Sequence, residues 1–174
     1  MHPAIRHSLK PRLVAIAPGA AEVVRYAGGW LFDKVLSGWD VTVITTQSPD
    51  RRPLRILGVG DATLEHALSY PAAGSCCAAI AVSAALYDTD ERVRGMVLGA
   101  AATGLPEIWL WGEGDEVPAD FGTGADPVAH RLSVAARAFK AQAMAAAAVC
   151  GQGPTDTEVF RRGEIRSFGL ASAR

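Results

Sequence analysis

The chain has little cysteine, little histidine and no excess of either charge, and each shortage removes a class of function. Its three cysteines are Cys76, Cys77 and Cys150, an odd set with no CxxC spacing. That excludes a disulfide framework and the usual thiolate metal or redox motifs. Neither Cys76 nor Cys77 has a basic neighbour to stabilise a thiolate, so both read as inert, buried positions. The 17 basic and 18 acidic residues are interspersed and leave a formal net charge of -1. Such a balance gives no electrostatic footprint for nucleic acid or an anionic membrane. No apolar run reaches the ~20 residues of a membrane span. Met1 to Arg12 is basic but lacks the apolar stretch of a signal peptide, so a mobile tail and a cytoplasmic location are expected. His2 and His7 fall in that tail, His66 and His130 read as surface residues, and the four have no metal-ligand spacing.

Alternating apolar segments fill the rest. Leu13–Ala17 is a short apolar run and reads as a buried strand. From Glu22 to Ser37, Val23, Val24, Ala27, Leu31 and Val35 recur at helical spacing, and Gly38 is a stop signal. Val41–Thr45 is entirely β-branched and makes a second strand. Further along, a short helix is expected over Thr63–Leu68 and a strand over Cys77–Val82. Asp90 caps a helix with Val93, Met96, Val97 and Ala100 on its inner face, ending near Gly104. Ile108–Trp111 is a fourth strand, and Ser133 opens an Ala-rich helix through Val149. The Gly-, Asp- and Pro-rich stretch Glu113–Pro127 reads as a mobile loop. The expected fold is one α/β domain over residues 1–174, a mostly parallel, Rossmann-like, doubly wound sheet with helices on both faces. Ligands in such sheets bind beyond the carboxyl ends of the strands.

The order of these pieces resembles the PIG-L/LmbE family of zinc-dependent N-acetylglucosaminyl deacetylases. Leu13 to Thr46 keeps Pro18, Gly28-Gly29, Gly38 and the second strand without a gap. Tyr87–Ala102 and the strand Ile108–Trp111 resemble the family's His-Pro-Asp-His segment, its helix and its next strand. Lys140 sits where the family has a Lys before a His-x-Ser-Gln motif, and Glu158–Phe168 resembles the closing segment. The resemblance implies a zinc hydrolase fold, but not its chemistry. The first turn should supply a His ligand, a general base and an Asp ligand; those positions hold Gly19, Ala21 and Glu22. The catalytic His and the third ligand align with Asp88 and Glu91. The motif's His, Ser and Gln align with Ala147, Val149 and Cys150. Glycine and alanine offer neither a donor nor a base.

The resemblance therefore implies a catalytically inactive relative without cofactor. It would bind an unidentified small molecule or a protein, with no nucleic acid or membrane partner and with homo-oligomerisation left open. The cleft candidates are Gly19, Glu22, Thr46, Asp88, Glu91 and Trp111, and no residue is assigned a catalytic role. The alternative is a hydrolase of N-acetyl sugar-like substrates with a remodelled metal site on Glu22, Asp88 and Glu91, to which Asp90 would add a further oxygen. The ordinary reading of these carboxylates is at helix ends, Glu22 complementing a dipole and Asp90 capping. Gly58-Val59-Gly60 with Asp61, after a strand-like Arg55-Ile56-Leu57, hints at a phosphate loop but lacks its third glycine, so a plain turn is expected. Trp30, Trp39, Trp109 and Trp111, with Tyr26 and Tyr87, could stack on a sugar, but core packing is the expected role.

Overall fold

The computed structural model describes residues 10–47, 50–70, 77–113, 117–122, 125–151, 153 and 155–165. The elements run β1 (Arg12–Ala17), α1 (Ala20–Leu36), β2 (Asp40–Thr45), α2 (Arg51–Ile56), β3 (Gly60–Thr63), α3 (Leu64–Ser69), β4 (Ala79–Ser83), α4 (Ala84–Thr89), α5 (Glu91–Ala101), β5 (Glu107–Trp111), β6 (Pro127–Arg131), α6 (Val134–Ala146) and β7 (Thr157–Gly163). They build a seven-stranded sheet in the order β3-β2-β1-β4-β5-β7-β6. The strands β1 to β5 pair in parallel. The last two close the edge antiparallel, β7 against β5 and β6 against β7. The α/β, mostly parallel expectation holds. Cys76 and the tail before Lys10 lie outside the described residues.

The pleat sorts the core onto two faces. Leu13, Ala15 and Ala17 of β1 face α1, α2 and α6, with Val24, Leu31, Leu54, Ala136 and Ala143 opposite them. Val14 and Ile16 face the other way, towards Leu64, Tyr87, Val93 and Val97 of α3, α4 and α5. Trp109 and Trp111 point to the first face, Ile108 and Leu110 to the second. The core reading of the tryptophans holds for Trp30 and Trp111, which are buried. Trp39 and Trp109 are half-buried and pack against the same cluster. Cys77 is buried as expected.

Local signals place most boundaries. Gly38 stops α1 with a φ of 89°, open to glycine at little cost. Asp90 caps α5 through Arg92 and Val93, and Ser133 caps α6 through Ala136. Three expectations are corrected. Arg55-Ile56-Leu57 is not a strand but the end of α2 and its cap. Asp50 opens that helix by accepting from the Arg52 amide, and Leu54 and Leu57 turn inward at helical spacing. Gly58, with a φ of 72°, is then the turn into edge strand β3, so no phosphate loop follows a strand here. The Ala-rich helix ends at Ala146, short of Val149.

The third correction concerns the stretch after β5. Its described residues 117–122 are anchored. Phe121 is buried against the Tyr87 ring and bridges to Ile165. Asp120 accepts from the Tyr87 hydroxyl at 2.9 Å and from Arg94 Nε at 2.8 Å and Nη2 at 2.6 Å. Burial, then the hydrogen bond to Asp120, raises the Tyr87 pKa above its ordinary value and keeps the phenol a donor.

Candidate functional site

Helix α1 and the carboxyl ends of β4 and β5 form a cleft, closed on its far side by the chain that follows α6. It consists of two adjoining cavities, of about 570 Å³ and about 300 Å³. Arg25, Tyr26, Gly112, Val149 and Cys150 line both. The outer cavity adds Ala21, Glu22, Ser83, Glu113 and Ala147. The inner one adds Lys140, Met144, Thr155, Thr157, Glu158 and Val159. The Tyr26 hydroxyl donates to Glu113 Oε1 at 2.6 Å, and Arg25 Nη2 lies 3.3 Å from the same oxygen. These contacts cross from α1 to the end of β5. Burial and the bond to Glu113 push the Tyr26 pKa up to about 12, so the phenol stays protonated at neutral pH.

The inner cavity rests on a buried ion pair. Lys140 and Glu158 are 1% and 3% exposed, with Nζ 2.6 Å from Oε1. Glu158 Oε1 also accepts from the Gly29 amide at 2.9 Å, and Oε2 from the Trp30 amide at 2.8 Å. Lys140 Nζ donates to the Arg25 carbonyl at 2.8 Å. Arg25 and Gly29 are four apart, so the pair engages both the carbonyl and the amide that a helix would join to each other. The missing side chains of Gly28 and Gly29 open this strip of α1 backbone. A Cβ on Gly29 would lie 2.4 Å from Leu132 Cδ2, and one on Gly28 would lie 3.7 Å from Lys140 Cγ. Burial raises the Glu158 pKa, while the Lys140 ammonium and the two amides pull it down.

The sequence-derived cleft residues divide. Glu22, in the first turn of α1, accepts from Trp111 Nε1 at 3.2 Å, so these two meet. Gly19 is the cap residue of α1 and stands beside Gln47. The Thr46 hydroxyl donates to the Pro18 carbonyl at 3.4 Å and clasps that turn. Asp88 and Glu91 are exposed, in α4 and at the start of α5, and line neither cavity. Between them, Asp90 faces Arg92, which holds its carboxyl below the ordinary value. Among the described residues no three His, Cys, Asp or Glu side chains gather as a metal site. The carboxylate set Glu22, Asp88 and Glu91 is therefore not assembled, because Glu22 turns to Trp111 while the other two face solvent. These donors do not fit a zinc ion.

No protein-family model matches the sequence, and no curated protein matches it. Solved structures do match. The A40926 pseudoaglycone deacetylase Dbv21 is 17% identical with a TM-score of 0.65, over 91% of this chain and 99% of that one. A triple mutant of a deacetylase from the teicoplanin biosynthetic pathway is 16% identical with a TM-score of 0.63, over 91% and 99%. The zinc-inhibited form of teicoplanin deacetylase Orf2 is 14% identical with a TM-score of 0.65, again over 91% and 99%. The chain has the fold of these deacetylases.

Several cleft residues carried no sequence signal. Arg25 sits inside the α1 pattern, where nothing marks it as facing a cavity, and Tyr26, expected to pack in the core, lines both cavities. Glu113 read only as part of a loop. Lys140 and Glu158 fall in segments that resemble the family, yet nothing in their spacing, 18 positions apart, announces a buried pair. No helix among the described residues is long and apolar enough to cross a membrane.

Proposed function

We propose that this protein is a PIG-L/LmbE-like pseudoenzyme that binds a small molecule in the cleft at the carboxyl ends of β4 and β5. The carrying observation is the state of Glu22. It is the one carboxylate at a family ligand position that lines the cleft, and it is held by Trp111. Around it stand Ala21, Ser83, Gly112 and Ala147, which supply no imidazole and no base, and the Glu113 carboxylate is taken up by Tyr26 and Arg25. Hydrolysis in this family needs a metal-bound water and a carboxylate to take its proton. Asp88, aligned with the position that should stabilise the oxyanion, is exposed and lines neither cavity, so it offers the cleft no donor. A small-molecule ligand is favoured over a protein partner by the cavities, whose combined walls mix apolar side chains with a few convergent polar groups.

The test is direct. Incubate the full chain with excess zinc and N-acetylglucosaminyl substrates, and measure free amine against a blank without protein. No amine above the blank is expected, with or without chelator. Turnover that a chelator removes and that survives repurification overturns the proposal.

A further inference from the structure

The inner cavity has a chemistry of its own. Glu158 already accepts from three donors, Gly29, Trp30 and Lys140. Lys140 Nζ carries three N–H groups and gives two of them, to the Arg25 carbonyl and to Glu158. The Thr155 hydroxyl donates to the Thr157 carbonyl, and the Tyr26 hydroxyl to Glu113. Arg25 has a single contact with Glu113 at 3.3 Å and lies over the Tyr26 ring at 5.1 Å, leaving most of its guanidinium N–H groups unspent. The charged donors still available on this wall are the Arg25 guanidinium and the third N–H of Lys140, with the Thr157 hydroxyl as a neutral one. Met144, one turn from Lys140 on α6, and Val149 and Val159 supply the apolar part of the lining.

We infer that the inner cavity is a subsite for a small carboxylate-bearing molecule, its carboxylate held by Arg25 and Lys140 and its apolar body against Met144, Val149 and Val159. This deepens the reading of the cleft as a binding site and rests on it. A carboxylate is the ligand group that suits an Arg fork and a desolvated ammonium together, because both bonds are charge-assisted. A cavity of about 300 Å³ has room for a body of one aromatic ring. The thioether of Met144 favours an aromatic one. Arg25 also lines the outer cavity, so a molecule anchored here extends past Tyr26 towards Glu22.

Benzoate is the probe, with benzamide as its uncharged match. Titrate each into the full chain by calorimetry. Saturable benzoate binding at about 1 mM or tighter is expected for a ligand of this size, with benzamide at least ten-fold weaker. Arg25→Gln should lose at least ten-fold for benzoate and little for benzamide. The Arg25 side chain is 55% exposed, so this variant should fold. Val149→Phe fills the cavity without changing its charge and should weaken both probes. No saturable binding, equal affinity for the two probes, or unchanged benzoate affinity in Arg25→Gln overturns the assignment. Its failure is separable from that of the proposed function. Chelator-sensitive turnover would overturn the non-hydrolytic reading and leave this titration as it is, and lost benzoate binding would leave that reading standing.

Discussion

Gly28 and Gly29 are neighbours in α1 but meet different surroundings, and their substitutions should differ in sign. A Cβ on Gly28 finds its nearest neighbour, Leu57 Cδ1, at 3.5 Å, an ordinary contact. Gly28→Ala should leave stability unchanged or raise it by up to about 1 kcal/mol through helix propensity. A Cβ on Gly29 meets three atoms of the buried Leu132 side chain at 2.4 to 3.0 Å. Gly29→Ala should destabilise by about 1–3 kcal/mol through overpacking. Urea denaturation of both variants checks the pair, and equal midpoints would sink it. The ion pair beside them is more sensitive. Lys140→Met leaves Glu158 buried without its cation and should cost about 3–5 kcal/mol. Adding Glu158→Leu should recover only part of that, because the Gly29 and Trp30 amides lose their acceptor.

At the scale of elements, two carboxylates act as ties. Asp33 of α1 accepts from His130 Nε2 of β6 at 2.9 Å and from the Ser133 amide, the cap of α6, at 3.1 Å. Burial disfavours its charged form, but the bonds from Ser133 and His130 outweigh that and hold its pKa below 3.8. A lowered carboxylate pKa stabilises the fold above the unfolded-state value, and the contribution is lost as pH falls through the folded value. Asp33→Ala should therefore cost about 1–2 kcal/mol at neutral pH. The gap to the natural protein should narrow as the pH falls below the ordinary carboxylate range and through the lowered folded-state pKa, as acid melts followed by circular dichroism would register. A gap that persists at low pH would refute it. Asp120 is the second tie, joining the segment after β5 to Tyr87 of α4 and Arg94 of α5. Asp120→Ala should speed amide hydrogen exchange over residues 117–122 and spare β1 and β4.

In the whole molecule, the antiparallel β6–β7 pair is continuous with the parallel strands, and α6 covers the same face as α1 and α2. Trp30 of α1 touches both Trp109 of β5 and Phe160 of β7. Neither part of the sheet completes its core alone. Unfolding should be one transition, with tryptophan fluorescence and far-ultraviolet circular dichroism giving the same midpoint. Separate midpoints would show that the C-terminal hairpin melts independently.

Periodicity alone determined the parallel centre of the sheet. β1, β2, β4 and β5 are apolar runs because both faces are covered, and α1 and α5 carry an apolar stripe of period 3.6. The edges were beyond its reach. β3 is four residues with no apolar run, β6 is almost wholly exposed, and β7 turns Glu158 inward where a pattern reader expects a hydrophobe. Gly19, Ala21 and Ala147 stand where the resemblance implies donors or a base, a comparison that needs the sequence alone. Which carboxylates face the cleft cannot be read that way. Glu22 reaches Trp111, 89 positions away, while Asp88 and Glu91 remain on exposed helix ends. Only packing α1, β5 and α6 together made Lys140 and Glu158 a buried pair with α1 backbone between them, since an ion pair has no period and exists only once its partners are brought within reach.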